Sequence, residues 1–163
     1  MARELHRGRR TAAYEGDVVV FLIGFRVNKL RGVRSWLPVM LAMPPMLREL
    51  EQDPDSGLLG YRMFFGLREA TLVQYWSSVD KLQGFANDPQ RTHRPAWIRY
   101  FRSSYKDGAT GIWHETYVIP AGSYETIYGN LPEIGLGAVA GVVPVADRGE
   151  SAAARLQHPA AAR

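Results

Sequence analysis

The stretch Asp17 to Val27, DVVVFLIGFRV, is β-branched and aromatic and is apolar at both parities, which predicts a strand buried on both faces. From Arg34 to Gln52, Trp36, Met40, Met43, Leu47 and Leu50 recur every three or four residues. They paint one stripe on a helix that Ser35 is placed to cap. Pro44 and Pro45 fall inside this stripe. Each removes a backbone donor and crowds the preceding turn, so a bend or break is expected there. QDPDSG then turns the chain, and LLGYRMFFG and TLVQYWS read as two strands of an antiparallel hairpin joined by LRE. Ser77 or Ser78 caps a short helix carrying Val79, Leu82 and Phe85, which ends at NDP. A further helix beginning near Pro95 is expected to bury Trp97, Ile98 and Phe101 and to expose Arg99 and Arg102. KDGATG leads into a last strand, GIWHETYVI.

Strand, helix, strand, strand, helix, strand is the split βαβ, ferredoxin-like arrangement of the α+β class, an antiparallel sheet with helices on one face. Helices cover only that face, yet the first strand is apolar on both. A second copy of the chain is the economical cover, so a homodimer is expected. Residues 1–13 and 145–163 read as flexible or disordered tails, because the first is charged and the second lacks aromatics and alternates Ala with charge. One domain over residues 14–144 remains.

Of the net charge of +4, the first ten residues carry +3 and residues 147–163 carry +1, leaving residues 11–146 without net charge. The basic excess therefore lies at the ends and not on a phosphate-tracking face, which argues against nucleic-acid binding by the folded part. Cysteine is absent, so disulfides, thiolate ligands and a thiol nucleophile are excluded, as suits the cytoplasm. The apolar run Val18 to Phe25 is too short for a membrane span and lacks a cleavage site, so no membrane partner is expected. No GxGxxG following a strand, Walker loop, GxSxG elbow or HExxH occurs; GLGAVAG near Gly135 is a Gly-Ala loop.

The last strand carries the sharpest chemistry. His114 shares its parity with Ile112, Thr116 and Val118, and Glu115 shares its own with Trp113, Tyr117 and Ile119. Each is either a satisfied structural group, Glu115 pairing with an arginine such as Arg26 or Arg62, or a functional one. His93, in DPQRTHRPAWIRYF, is either a surface loop residue or an imidazole over the helix–sheet pocket, able to act as base or ligand near neutral pH. His6 and His158 fall in the tails. With no acidic cluster at ligand spacing, no bare metal site is expected, whereas a single histidine could still hold a haem iron. Trp76, Trp97, Tyr100, Trp113, Tyr117, Tyr124 and Tyr128, with Met40, Met43, Met46 and Met63, are mostly core by spacing. The same inventory suits a pocket for a flat hydrophobic molecule.

VVVFLIGFRVNKLRGVRSWLPV, GLLGYR, TLVQYW, HRPAW, GIWHETYVIPAGSYETIYGNLP and GLG, spread from Asp17 to Leu136, resemble the dimeric α/β-barrel superfamily and, within it, a monooxygenase-like bacterial family. The resemblance implies two sheets paired back to back as a barrel. It also implies oxidation of a small, largely apolar or aromatic molecule without a required cofactor. In that role His114 or His93 would take a proton from an activated substrate, Trp97, Trp113, Tyr117 and Tyr128 would shape the pocket, and Asn130 would hydrogen-bond a substrate oxygen. The segment from Trp113 to Gly137 is also similar to the C-terminal part of haem-containing aldoxime dehydratases, which implies haem on His114, although no second histidine follows in YGNLPEIGLG. A non-catalytic ligand-binding module would use the same pocket.

Overall fold

The computed structural model describes residues 4–102 and 104–156. In chain order these form β1 (His6–Ala12), β2 (Val18–Val27), α1 (Val33–Gln52), β3 (Leu58–Phe65), β4 (Glu69–Trp76), α2 (Val79–Asn87) and α3 (His93–Arg102). There follow β5 (Thr110–Ile119), β6 (Tyr128–Leu131), α4 (Gly137–Ala140), β7 (Val142–Pro144), a 3-10 turn (Val145–Asp147) and α5 (Ala152–Leu156).

The main sheet has the order β3-β4-β2-β5 and every neighbour is antiparallel, which is the ferredoxin-like order expected from the pattern. The doubly apolar β2 occupies a central place, bonded on one side to β4 and on the other to β5. Alternation sends Val19, Phe21, Ile23 and Phe25 toward the helices. Val19, Trp76, Met46, Leu50, Leu82 and Phe85 form the core there, with Phe21, Leu58 and Val79 packed against them. Trp76 is fully buried, and its indole N–H donates to Gln74 Oε1 at 2.9 Å, so neither polar group is left bare.

The other face of β2 is covered in part by the chain itself. Ala12, Val18 and Leu136 cluster with Tyr14, Tyr75, Ile119, Tyr124, Tyr128 and Val139. They lie beneath a second sheet of order β6-β1-β7. The N-terminal segment expected to be a loose end supplies part of this cover, and the C-terminal one is also folded. His6–Ala12 is a strand paired with both β6 and β7, and Ala152–Leu156 is a short helix anchored by the buried Arg155, which donates to Glu125 Oε2 at 2.9 and 2.7 Å and to the carbonyls of Gly149 and Glu150. His158 and the rest of residues 157–163 lie outside the described residues.

Helix α1 runs unbroken through Pro38, Pro44 and Pro45, so of the bend or break expected at Pro44 and Pro45 there is no break. Met46, Leu47 and Leu50 are buried beyond the prolines, and this packing holds the helix where the backbone ladder is thinned. Gly32, not Ser35, precedes the helix, and the Ser35 hydroxyl donates instead to Asp107 Oδ2. Ser78 does cap α2, accepting from the Lys81 N–H at 3.2 Å. In α3 the buried residue is Tyr100, its hydroxyl donating to the Thr110 carbonyl at 3.1 Å, whereas Trp97, Ile98 and Phe101 remain well exposed. This reverses the burial expected of Trp97, Ile98 and Phe101, while Arg99 and Arg102 are exposed as expected. Trp97 and Phe101 look into open space beside the sheet and not into its packed centre.

Candidate functional site

Between α1, α3 and the helix-facing side of the sheet lies a cavity of about 290 Å³. Its floor includes Ile23, Phe25, Leu72, Met63 and Ile112, and its roof comes from α1 through Met40, Met43 and Met46. The lining is almost wholly apolar. His93, Arg99, Thr71, Tyr100 and Ser104 supply its few polar groups, which is the composition expected of a site for a mostly hydrocarbon molecule.

His93 is placed by a clamp between two helices. Arg91 bonds Asp53 at 2.5 Å and lies 3.7 Å from both Glu49 and Asp88, and Thr92 donates its backbone N–H to Glu49 Oε2 at 3.0 Å and its hydroxyl to the same oxygen. The bond from Arg91 holds the Asp53 carboxyl below the usual carboxylate range. The loop entering α3 is thereby bolted to the C-terminal end of α1. His93 Nδ1 lies 3.0 Å from the Ala86 carbonyl oxygen, which can only accept, so Nδ1 is the donor, and in the neutral ring Nε2 is the acceptor. The ring sits between Phe85 at 5.9 Å and Trp97 at 6.2 Å, the latter stacked at 24°.

The remaining expected site residues divide among three places. Trp97 joins His93 at the cavity. His114 points to the helix side of β5, its ring 5.6 Å from that of Phe21, but β5 is an edge strand and His114 is exposed. It lines a neighbouring open groove with Trp97, Tyr100, Phe101, Tyr105, Trp113 and Ile112, of which Trp97, Tyr100 and Ile112 also wall the cavity. As a haem site this groove does not fit. A porphyrin on His114 would rest against aromatic rings on one face and water on the other.

Tyr117 lies on the opposite face of the sheet, where its hydroxyl donates to Glu115 Oε2 at 2.7 Å. Glu115 is therefore engaged by a tyrosine; Arg26 pairs with Glu69 at 3.3 Å and Arg62 lies over the Phe64 ring at 4.8 Å. Trp113 bears on the outer face as well, its indole filling the space over Gly24, where a Cβ would come within 2.4 Å of Nε1. Tyr128 and Asn130 belong to β6, away from the cavity. The Tyr128 hydroxyl accepts from the Gly137 N–H at 3.0 Å. Asn130, in the left-handed region at φ 51°, accepts the Gly8 N–H at 2.9 Å where β1 shifts register. Both are engaged in the fold. Met63 was named from the sequence only within the aromatic and methionine inventory, and Phe25 and Arg99 not at all as pocket residues; their parity or helix position was readable, but the cavity's location was not.

Among the described residues no cluster of three His, Asp or Glu could hold a metal ion, and no helix is long and apolar enough to cross a membrane. Monooxygenase af470 of Aspergillus fumigatus is 31% identical over 133 residues, which cover 76% of this chain and 46% of the relative, so the chain spans a little under half of that protein's length. Among solved structures, SnoaB, a cofactor-independent oxygenase from Streptomyces nogalater, superposes with a TM-score of 0.44 at 12% identity over 62% of this chain and 91% of its own. A conserved protein from Methanosarcina mazei gives 0.44 at 12% identity over 61% and 91%. The family model described as monooxygenase af470-like matches residues 18–136, and the chain belongs to that monooxygenase-like family.

Proposed function

We propose that this chain is an oxidoreductase that inserts oxygen into a small, largely apolar or aromatic molecule held under α1, with His93 as the base. The observation that carries the reading is an apolar cavity whose imidazole has its Nδ1 proton tied to the Ala86 carbonyl, leaving the Nε2 lone pair free to accept a proton. In the balanced form of the reaction, Nε2 takes a proton from an activated CH₂ group. The carbanion gives an electron pair to O₂ and the peroxide anion is reprotonated by the imidazolium. Loss of water then leaves a carbonyl, so that R₂CH₂ and O₂ become R₂CO and H₂O. The apolar walls favour this course, because they bind the neutral substrate and keep bulk water from quenching the carbanion. Trp97, stacked on the imidazole, fixes its plane and covers one side of the substrate.

A homodimer accompanies the reading. Phe64, Trp113 and Tyr117 lie on the outer face of the sheet and are 46%, 41% and 49% exposed, a neighbourhood that the β6-β1-β7 sheet leaves uncovered. A second copy laid face to face would remove this apolar surface from water.

The test is oxygen uptake with activated-methylene ketones, anthrone among them, together with product analysis. Uptake equal to ketone formed, lost in His93→Ala but kept in His114→Ala, is the expected result. Saturable binding of these ketones with no oxygen uptake would reassign the chain as a non-catalytic ligand-binding module.

A further inference from the structure

The protein has five methionines, and every one after Met1 lines the same cavity. Met40, Met43 and Met46 come from α1 at three-residue steps, and Met63 comes from β3 across the chamber. Spacing of three along a helix keeps side chains on neighbouring positions of one face, so the thioethers converge on a common space. A chance scatter of four methionines over a chain of this length would not place all of them around one chamber.

Their access to solvent is unequal. Met40 is 38% exposed and Met43 and Met63 are half-buried, whereas Met46 is 8% exposed and belongs to the core beneath α1. Thioethers suit an apolar chamber because they are flexible and polarisable and adapt to the shape of a guest. They are also the most readily oxidised groups in a chain without cysteine.

We propose that Met40, Met43 and Met63 form a modification site, oxidised by peroxide to sulfoxides that convert the chamber from apolar to polar and close it to apolar ligands. In the step, the sulfur lone pair attacks one oxygen of the peroxide and the O–O bond breaks. Sulfur gains one oxygen and loses two electrons, and hydrogen peroxide leaves as water. Each sulfoxide puts a strong, unpartnered dipole where a hydrocarbon surface would lie, and burying it under an apolar ligand costs the hydrogen bond it makes to water. The change is reversible by methionine sulfoxide reductases. The inference goes beyond the reading of His93 as base and needs only the cavity.

The experiment uses the full chain, hydrogen peroxide quenched by catalase at intervals, peptide mass mapping, and titration with the neutral fluorescent probe N-phenyl-1-naphthylamine. One added oxygen is expected on Met40, Met43 and Met63 well before Met46. Probe affinity should fall about tenfold or more in step with it, and methionine sulfoxide reductases A and B should restore it. A triple variant Met40→Leu, Met43→Leu, Met63→Leu should bind the probe identically before and after peroxide, and Met46→Leu should remain sensitive. Oxidation of Met46 as fast as Met40, or unchanged probe affinity in fully oxidised protein, or peroxide sensitivity retained by the triple variant, would each overturn the proposal. Failure of untreated protein to bind the probe would defeat the apolar-ligand reading itself, whereas failure of the oxidation order would defeat only this inference.

Discussion

His93 Nδ1 and the Ala86 carbonyl oxygen stand 3.0 Å apart, so α3 begins with an imidazole whose tautomer is fixed by the last turn of α2. His93→Ala removes the acceptor nitrogen. Turnover with an activated-methylene ketone should fall about 10²- to 10⁴-fold while thermal unfolding and circular dichroism stay near those of the parent. Equal turnover in the variant would take imidazole out of the chemistry.

Gly24 owes its identity to Trp113. A Cβ there would meet the indole at 2.4 Å, so Gly24→Ala must push Trp113 off the sheet, at a cost of about 1–3 kcal/mol. Tryptophan emission should shift to the red. Adding Trp113→Ala to Gly24→Ala should cancel most of the interaction, and strict additivity in the double-mutant cycle would show that the two do not touch.

Acid should loosen the clamp that carries His93. The Asp53 carboxyl is held below its ordinary value of 3.8 by the bond from Arg91, so the folded state binds its proton less readily than the unfolded chain. Its stabilising contribution is complete above the unfolded value and is lost as pH falls through the lower, folded one. In Asp53→Asn, unfolding measured from pH 6 downward should lose that part of the acid dependence below about pH 4. A profile identical to the parent's would remove Asp53 from the acid response.

Some of this organisation was legible in the sequence and some was not. The four main strands could be read because each alternates or runs apolar, and one register places β2 against β5 from Val18↔Ile119 to Val27↔Thr110. His6–Ala12 could not, because HRGRRTA buries little beyond Thr11 and Ala12 and looks like a charged tail until β6 and β7 flank it. His93 and Trp97 could be named from residue type. That Tyr128 and Asn130 serve the second sheet, and that His114 faces an open groove, depended on which strand lies at the edge. Residue type carries no trace of that. A second copy was expected over the far side of β2, yet part of that side is covered by the chain itself, through Ala12, Tyr128 and Leu136.

Arg155 tests whether the C-terminal helix belongs to the fold. Arg155→Ala leaves the Glu125 carboxylate and the Gly149 and Glu150 carbonyls without their donor, and about 1–3 kcal/mol of stability should be lost. Unfolding of the variant in urea checks the loss; an unchanged midpoint would mean the C-terminal helix is not part of the cooperative fold.

The outer face gives the association test. Phe64→Glu places a charge among uncovered apolar side chains, and sedimentation should show half the parent mass with the native circular dichroism spectrum kept. A parent that sediments as a single chain would dismiss the homodimer.

Three prolines in the twenty residues of α1 deprive the carbonyls of Arg34, Met40 and Leu41 of the amide that a helix would offer them four residues on. The lid of the chamber is thus the part of its helix with the fewest internal ties, fastened mainly by the grease beneath it. Guest molecules should come and go by prising up this segment. Its amide protons will trade with deuterium fastest when the chamber is vacant and slow down when something fills it.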